Sequence, residues 1–151
     1  MIDITALKAE IEADEGRVNR IYICPAGHPT FGVGHMVRRD DPEAELKVGA
    51  PVSDGRVDEA FDQDVADCLA DCAKLYKGFD GLPEEVQRIL ANMMFNLGLP
   101  RLSRFAKLRA AVHDSDWAEA AEQMRDSLWH RQLPERSTRL IERMILVEVP
   151  V

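Results

Sequence analysis

Glu15 closes a stretch of helical apolar spacing and stands directly before Gly16; Cys24 follows nine residues later and Thr30 six after that. A carboxyl, a thiol and a hydroxyl are the parts of a hydrolytic acid–base device. The first donates a proton, the second as thiolate takes one from water, and the third holds that water. The C-terminal end of a helix disfavours negative charge, and partial burial adds to the effect. A carboxyl kept protonated in this way can serve as a general acid near neutral pH. Spacing alone leaves plainer readings open: Glu15 as a solvated surface residue, and Cys24 as packing at a strand end.

The elements that must position these residues follow from periodicity. Ile4, Leu7 and Ile11 share one face and predict a helix over Ile4 to Ala13, capped by Asp3 or Thr5 and stopped by Gly16. Val18, Ile21, Tyr22 and Ile23 form strands readily, Cys24 to Pro29 is rich in turn formers, and Thr30 to His35 alternates. A small antiparallel sheet built on hairpins is therefore expected. Gly32 and Gly34 predict close backbone approach rather than a regular buried strand. Residues 36–52 read as a polar loop or short helix. A long helix over about 54–76 carries the stripe Val57, Phe61, Val65, Cys68, Leu69 and Cys72, with Ser53 to cap it. Pro83 opens a helix that is apolar nearly all round between Ile89 and Phe95, so it should be buried on most sides. Further helices are expected near Ser103–Val112, Asp116–Leu128 and Arg136–Ile145.

Composition limits the functional classes. The chain has 151 residues, 46% of them hydrophobic, which suits one compact domain or two joined lobes. Net charge is −8, distributed unevenly: residues 1–85 carry 9 basic and 19 acidic side chains, residues 86–151 carry 10 and 8. A duplex DNA binder would show a basic excess, so nucleic acid is set aside as a partner. No window approaches a membrane span, and the acidic residues among the first fourteen are unlike a secretory signal. No stable membrane insertion is expected. Three cysteines argue against a disulfide framework. Cys68 and Cys72, four apart on the long helix, read as two small apolar residues; the alternative is a metal pair with His28 or His35.

Five blocks carry a resemblance. Asp14-Glu15-Gly16 with Ile21-Tyr22 and Thr30-Phe31-Gly32-Val33-Gly34-His35 is similar to the signature of T-even-type phage lysozymes, glycoside hydrolase family 24. Its pattern is Glu, eight residues, Asp or sometimes Cys, five residues, Thr. Phe61 to Val65, Asn92 to Gly98, Trp117 to Ala121 and Trp129 to Arg136 continue the match in order. The resemblance implies an α+β lysozyme-like fold, a single domain over 1–151. A small β lobe of about 16–53 is joined by a helix of about 54–76 to a helical lobe of about 1–15 and 77–151. It implies a muramidase that cuts the β-1,4 bond between N-acetylmuramic acid and N-acetylglucosamine in peptidoglycan, with inversion and with no metal or organic cofactor.

By the same resemblance Glu15 is the general acid, Cys24 stands where most members have Asp, and Thr30 positions the attacking water. Arg136 matches the arginine beside the catalytic glutamate. His35 and Asp64 match a structural pair tying the small lobe to the long helix. Phe95 and Asn96 line the sugar cleft, Met36 meets sugar through its backbone, and Gln123 falls at a polar saccharide-binding position. Trp117 and Trp129 match residues that pack the helical lobe. Phe95 in so apolar a run also fits a core position. A thiol with a pKa of about 8.5, against about 3.9 for Asp, should weight activity toward higher pH. The stretch from His35 to Phe61 is short for the family, which implies a reduced rim. The family also implies a monomer that waits in the host cytoplasm and reaches the wall through a holin-type lesion. Two rivals remain: a lysozyme-like module that binds peptidoglycan or builds a virion without cutting, and a small metal protein using Cys24, Cys68, Cys72 and a histidine.

Overall fold

In the computed structural model, residues 1–148 are described; the single domain expected over 1–151 extends into 149–151, which lie outside the described residues. The chain clusters into two compact units, one of Lys8–Asp67 and one of Met1–Leu7 with the chain from Cys68 onward. It is mostly helical with one three-stranded antiparallel sheet, an α+β fold.

The Lys8–Asp67 unit begins within α1 (Ile4–Glu15) and ends within α2 (Asp54–Leu75), with the sheet between. Asp3 is the cap of α1, accepting from the Ala6 N–H at 3.0 Å, and Gly16 leaves the helix at φ 78°. Strands β1 (Val18–Ile23), β2 (Pro29–Gly32) and β3 (His35–Met36) pair in sequence order. Tyr22 lies opposite Thr30 and Val18 opposite Gly32, so the register shifts between them and β1 is bulged. The outer edge of β1 is covered by residues 49–52: the Ile21 N–H donates to Ala50 O at 2.9 Å and the Val52 N–H to Asn19 O at 2.9 Å.

Ile11, Ile21, Phe31, Val33, Val57 and Val65 form this unit's core. Gly32 is needed where β2 meets α2: at φ 65° a Cβ there would stand 3.0 Å from Val57 Cγ1. Ser53 caps α2, accepting from the Arg56 N–H at 3.1 Å. Over this core lies a knot of charges. His35, 6% exposed, faces Asp64 Oδ2 at 2.7 Å through Nδ1 and Asp41 Oδ2 at 2.8 Å through Nε2. Arg56 holds Glu43 through Nε at 3.0 Å and Nη2 at 2.9 Å, and also reaches Asp41 at 3.2 Å.

The helical unit is centred on α3 (Glu84–Leu97), whose Ile89, Leu90, Ala91, Asn92 and Met93 have no exposed surface. Against it pack α4 (Leu99–Leu102) and α8 (Pro134–Ile145); α6 (Trp117–Arg125) packs on α8 and on α5 (Ala106–His113), and α7 (Leu128–Gln132) on α8. Each fully buried Leu or Met here contributes roughly 1.5–3 kcal/mol by leaving water. The single helix expected over Asp116–Leu128 is two. Asp126 is its C-cap, and Ser127 caps a new helix by accepting from the His130 N–H at 3.1 Å. Likewise the helix expected from Ser103 starts at Ala106, after a turn that follows α4. Cys68 and Cys72 are buried, with Cys68 Sγ donating to Ala91 O at 3.2 Å. Trp117 and Trp129 are 3% and 2% exposed and therefore pack rather than display their rings.

Candidate active site

Glu15, Cys24 and Thr30 all belong to the Lys8–Asp67 unit. The last residue of α1 supplies Glu15, half-buried, and its carboxyl runs beside Gly34: a Cβ on Gly34 would lie 3.3 Å from Glu15 Oε2. With Gly34 at φ 66°, this loop position combines a backbone shape that favours glycine with an approach tighter than most side chains make.

Cys24 opens the turn between β1 and β2, its N–H donating to His28 O at 2.9 Å and its carbonyl accepting from the Gly27 N–H at 2.8 Å. The turn also wraps the sulfur. The thiol is held below its ordinary pKa, first by a hydrogen bond from the His28 backbone N–H. Burial opposes this, while the Thr30 hydroxyl and the N–H groups of Ala26 and Gly27 reinforce it. Backbone N–H groups of the turn thus form a nest beside the sulfur that favours its ionised form. Thr30 is 2% exposed, and its hydroxyl donates to His28 O at 2.9 Å. Its single proton can go to that carbonyl or to the sulfur.

Tyr22, opposite Thr30 across the sheet, completes the group. Its phenol is held above the ordinary pKa by burial, then by the negative charges of Cys24 and Glu15, so it stays a proton donor within the field of both. Sequence reasoning gave Tyr22 and His28 no role. Strand parity, which puts residues 22 and 24 on one face, could have shown Tyr22. Nothing in a histidine side chain announces that its backbone amide is the useful part.

Met36, on β3, is 55% exposed and available to a ligand. His35 and Asp64 meet as expected, but Asp41 on the other ring nitrogen is an addition. Burial opposes the imidazolium, yet the bonds to Asp64 and then Asp41 outweigh it and raise the His35 pKa.

In the helical unit, Arg136 is buried, and its Nε donates to Asn92 Oδ1 at 2.9 Å. A surface arginine is thereby excluded. Asn92 is the residue missed here; a polar side chain inside an apolar helical run needs a partner, and that was its signal. Phe95 and Asn96 are half-buried, and Asn96 Oδ1 accepts from Trp129 Nε1 at 2.8 Å. Gln123 is half-buried, donates to Glu119 at 2.6 Å, and lines a cavity of about 520 Å³ with Leu97, Phe105 and Trp129. Among the described residues no three His, Cys, Asp or Glu side chains gather as a metal site, and no helix is long and apolar enough to cross a membrane.

The α+β frame, with Glu15 at a helix end and Cys24 and Thr30 on the hairpin that follows, fits the lysozyme class of glycosidases. The chain belongs to the phage lysozyme family, whose model matches residues 12–144. It is 26% identical over 157 residues to a probable T4-type lysozyme 2 of Dictyostelium discoideum, covering 91% of this chain and 92% of that one. A second lysozyme of the same organism, probable T4-type lysozyme 1, is also 26% identical with the same coverage. The pre-baseplate central spike protein Gp5 of Enterobacteria phage T4 is 27% identical over 86% of this chain but only 26% of its own length. Peptidoglycan is the substrate that lysozyme membership implies.

Proposed function

We propose that this protein is an endolysin muramidase that hydrolyses the β-1,4 bond between N-acetylmuramic acid and N-acetylglucosamine with inversion, to lyse a host cell. The observation that supports the reading is the placement of Glu15 at the helix end, Cys24 in the hairpin turn and Thr30 on β2 within one compact unit. Glu15 donates its proton to the glycosidic oxygen as the bond to the leaving sugar breaks. Thr30 holds a water, and the Cys24 thiolate removes that water's proton as its oxygen bonds to the anomeric carbon from the opposite face. The cycle leaves a Glu15 carboxylate and a Cys24 thiol, and solvent returns the proton from one to the other. Met36, Phe95, Asn96 and Gln123 are assigned to the sugar chain. Arg136, His35 and Asp64 have supporting roles. No metal or organic cofactor enters this reading. Acting as a monomer, the enzyme waits in the host cytoplasm and reaches the wall through a holin-type lesion.

A second reading comes from the spike-protein relative: a wall-binding or virion module that does not cut. Digestion of purified peptidoglycan, with mass analysis of the new ends, separates the two. The native chain should release N-acetylmuramic reducing ends, initially as the α anomer, and Glu15→Gln should lower the rate by about 10²–10⁴. Equal, negligible release by both would make the chain a binding module.

A further inference from the structure

On the helical unit, and apart from every residue given a role above, lies a second cavity of about 360 Å³. Its wall contains Tyr76, Lys77, Arg109, His113 and Ser115, closed by Leu75, Leu82 and Val112 among others, and it includes no acidic side chain. In a chain of net charge −8 that is an unusual grouping. Lys77 and His113 are exposed. Arg109 gives one nitrogen to Ser103 O at 2.9 Å and is close enough to Tyr76 to act on it electrostatically. Tyr76 is 2% exposed, and its buried hydroxyl has no hydrogen-bond partner. Leaving such a group unsatisfied is destabilising, and an added acceptor would recover the loss.

We propose that this cavity binds a small phosphomonoester, with Arg109 and Lys77 taking the phosphate dianion and the Tyr76 hydroxyl gaining its missing acceptor. Two fixed cations, a histidine and two hydroxyls match a dianion with three free oxygens better than a single carboxylate. A guanidinium fork fits phosphate geometry in particular. The volume is too large for a bare phosphate ion and falls at the small end of ligand sites, roughly 300–1,000 Å³. The leucine and valine wall suits a compact organic body carrying that phosphate.

The test is a nuclear magnetic resonance titration of the full, isotope-labelled chain. Glucose 6-phosphate is the probe, with inorganic phosphate and glucose alongside. Glucose 6-phosphate should give saturable shifts at the amides of Tyr76, Lys77, Arg109 and His113, with Kd near 1 mM or tighter. Inorganic phosphate should bind more weakly and glucose should not bind. Lys77→Ala, at an exposed position that leaves the fold intact, should weaken binding about tenfold, as should Arg109→Ala and Tyr76→Phe. Absence of saturation overturns the proposal. So do an unchanged Kd in Lys77→Ala, equal binding of inorganic phosphate, and equal binding of glucose. The measurement needs no turnover, so it succeeds or fails apart from the muramidase reading.

Discussion

At the scale of single residues, the amides around Cys24 decide how the reaction should respond to pH. If the thiolate removes a proton from water, activity must rise with pH as the thiol ionises. The nest moves that rise below the ordinary thiol value of about 8.5. Cys24→Asp should therefore keep activity and shift the acid limb of the kcat/KM profile to lower pH, toward the carboxylate value of about 3.9. Cys24→Ser, lacking an ionisable group, should lose about 10² or more. Coincident acid limbs for the native chain and Cys24→Asp would remove the thiolate from the mechanism. Gly34 makes a separate case. Alanine there costs about 1–2 kcal/mol for its left-handed backbone and presses on Glu15 Oε2. Gly34→Ala should thus lower Tm by several degrees and also depress kcat in the folded fraction; normal kcat would show that the close approach does not position the acid. Types and intervals made Glu15, Cys24 and Thr30 legible. The nest was not, because backbone N–H groups are the same at every residue and only folding aims them.

At the scale of elements, legibility followed capping chemistry. Asp3 and Gly16 bound α1, Ser53 and Asp54 start α2, and Pro83 precedes α3, all near the positions that sequence signals predict. Between Leu99 and Leu133 the chain makes short helices in which caps such as Ser127 compete with equally polar neighbours, and there the periodicity ran across a real break. The charge knot joining β3 to α2 was half legible. His35 and Asp64 were expected to meet, but Asp41 and Arg56 approach from a loop and a helix whose juxtaposition no local pattern records. The knot ties stability to pH with two opposite signs. His35 has a raised pKa when folded, so its contribution is complete below about 6.5 and is lost as pH rises through the folded value. Asp41 has a lowered one: burial works against this, but the Arg38 N–H, His35 and Arg56 prevail. Its contribution is present above about 3.9 and is lost as pH falls through the folded value. Tm should be highest between these limits. His35→Asn should flatten the alkaline decline and cost about 1–3 kcal/mol at the optimum, since it takes one cation from two half-buried carboxylates that keep only Arg56 and Arg38. Parallel Tm–pH curves for the two proteins would show that the histidine does not carry the effect.

The whole molecule adds a long-range field to these local arrangements. Glu15, Cys24 and Thr30 belong to the part of the chain, residues 1–85, in which acidic side chains outnumber basic ones 19 to 9, while the remainder is slightly basic. A cell wall is itself anionic, so its glycan must approach the candidate acid through a field of its own sign. Two unit charges about 10 Å apart in water repel by about 0.4 kcal/mol. A handful of such pairs amounts to roughly 1–2 kcal/mol, about a tenfold loss in association. Salt at about 0.1 M shortens the screening length to about 10 Å and removes much of that term. KM for intact peptidoglycan should therefore fall several-fold as salt rises from about 10 to about 100 mM, with kcat unchanged, because the chemistry takes place at distances too short to screen. An uncharged chitooligosaccharide should show no such dependence, since only the wall's charge is repelled. A lysin that grips the wall through basic residues gives the opposite slope, as counterions are released on binding. If KM for this enzyme rose with salt, the few cations of residues 86–151 would have to govern approach to the wall, and the acidic half would have no part in it.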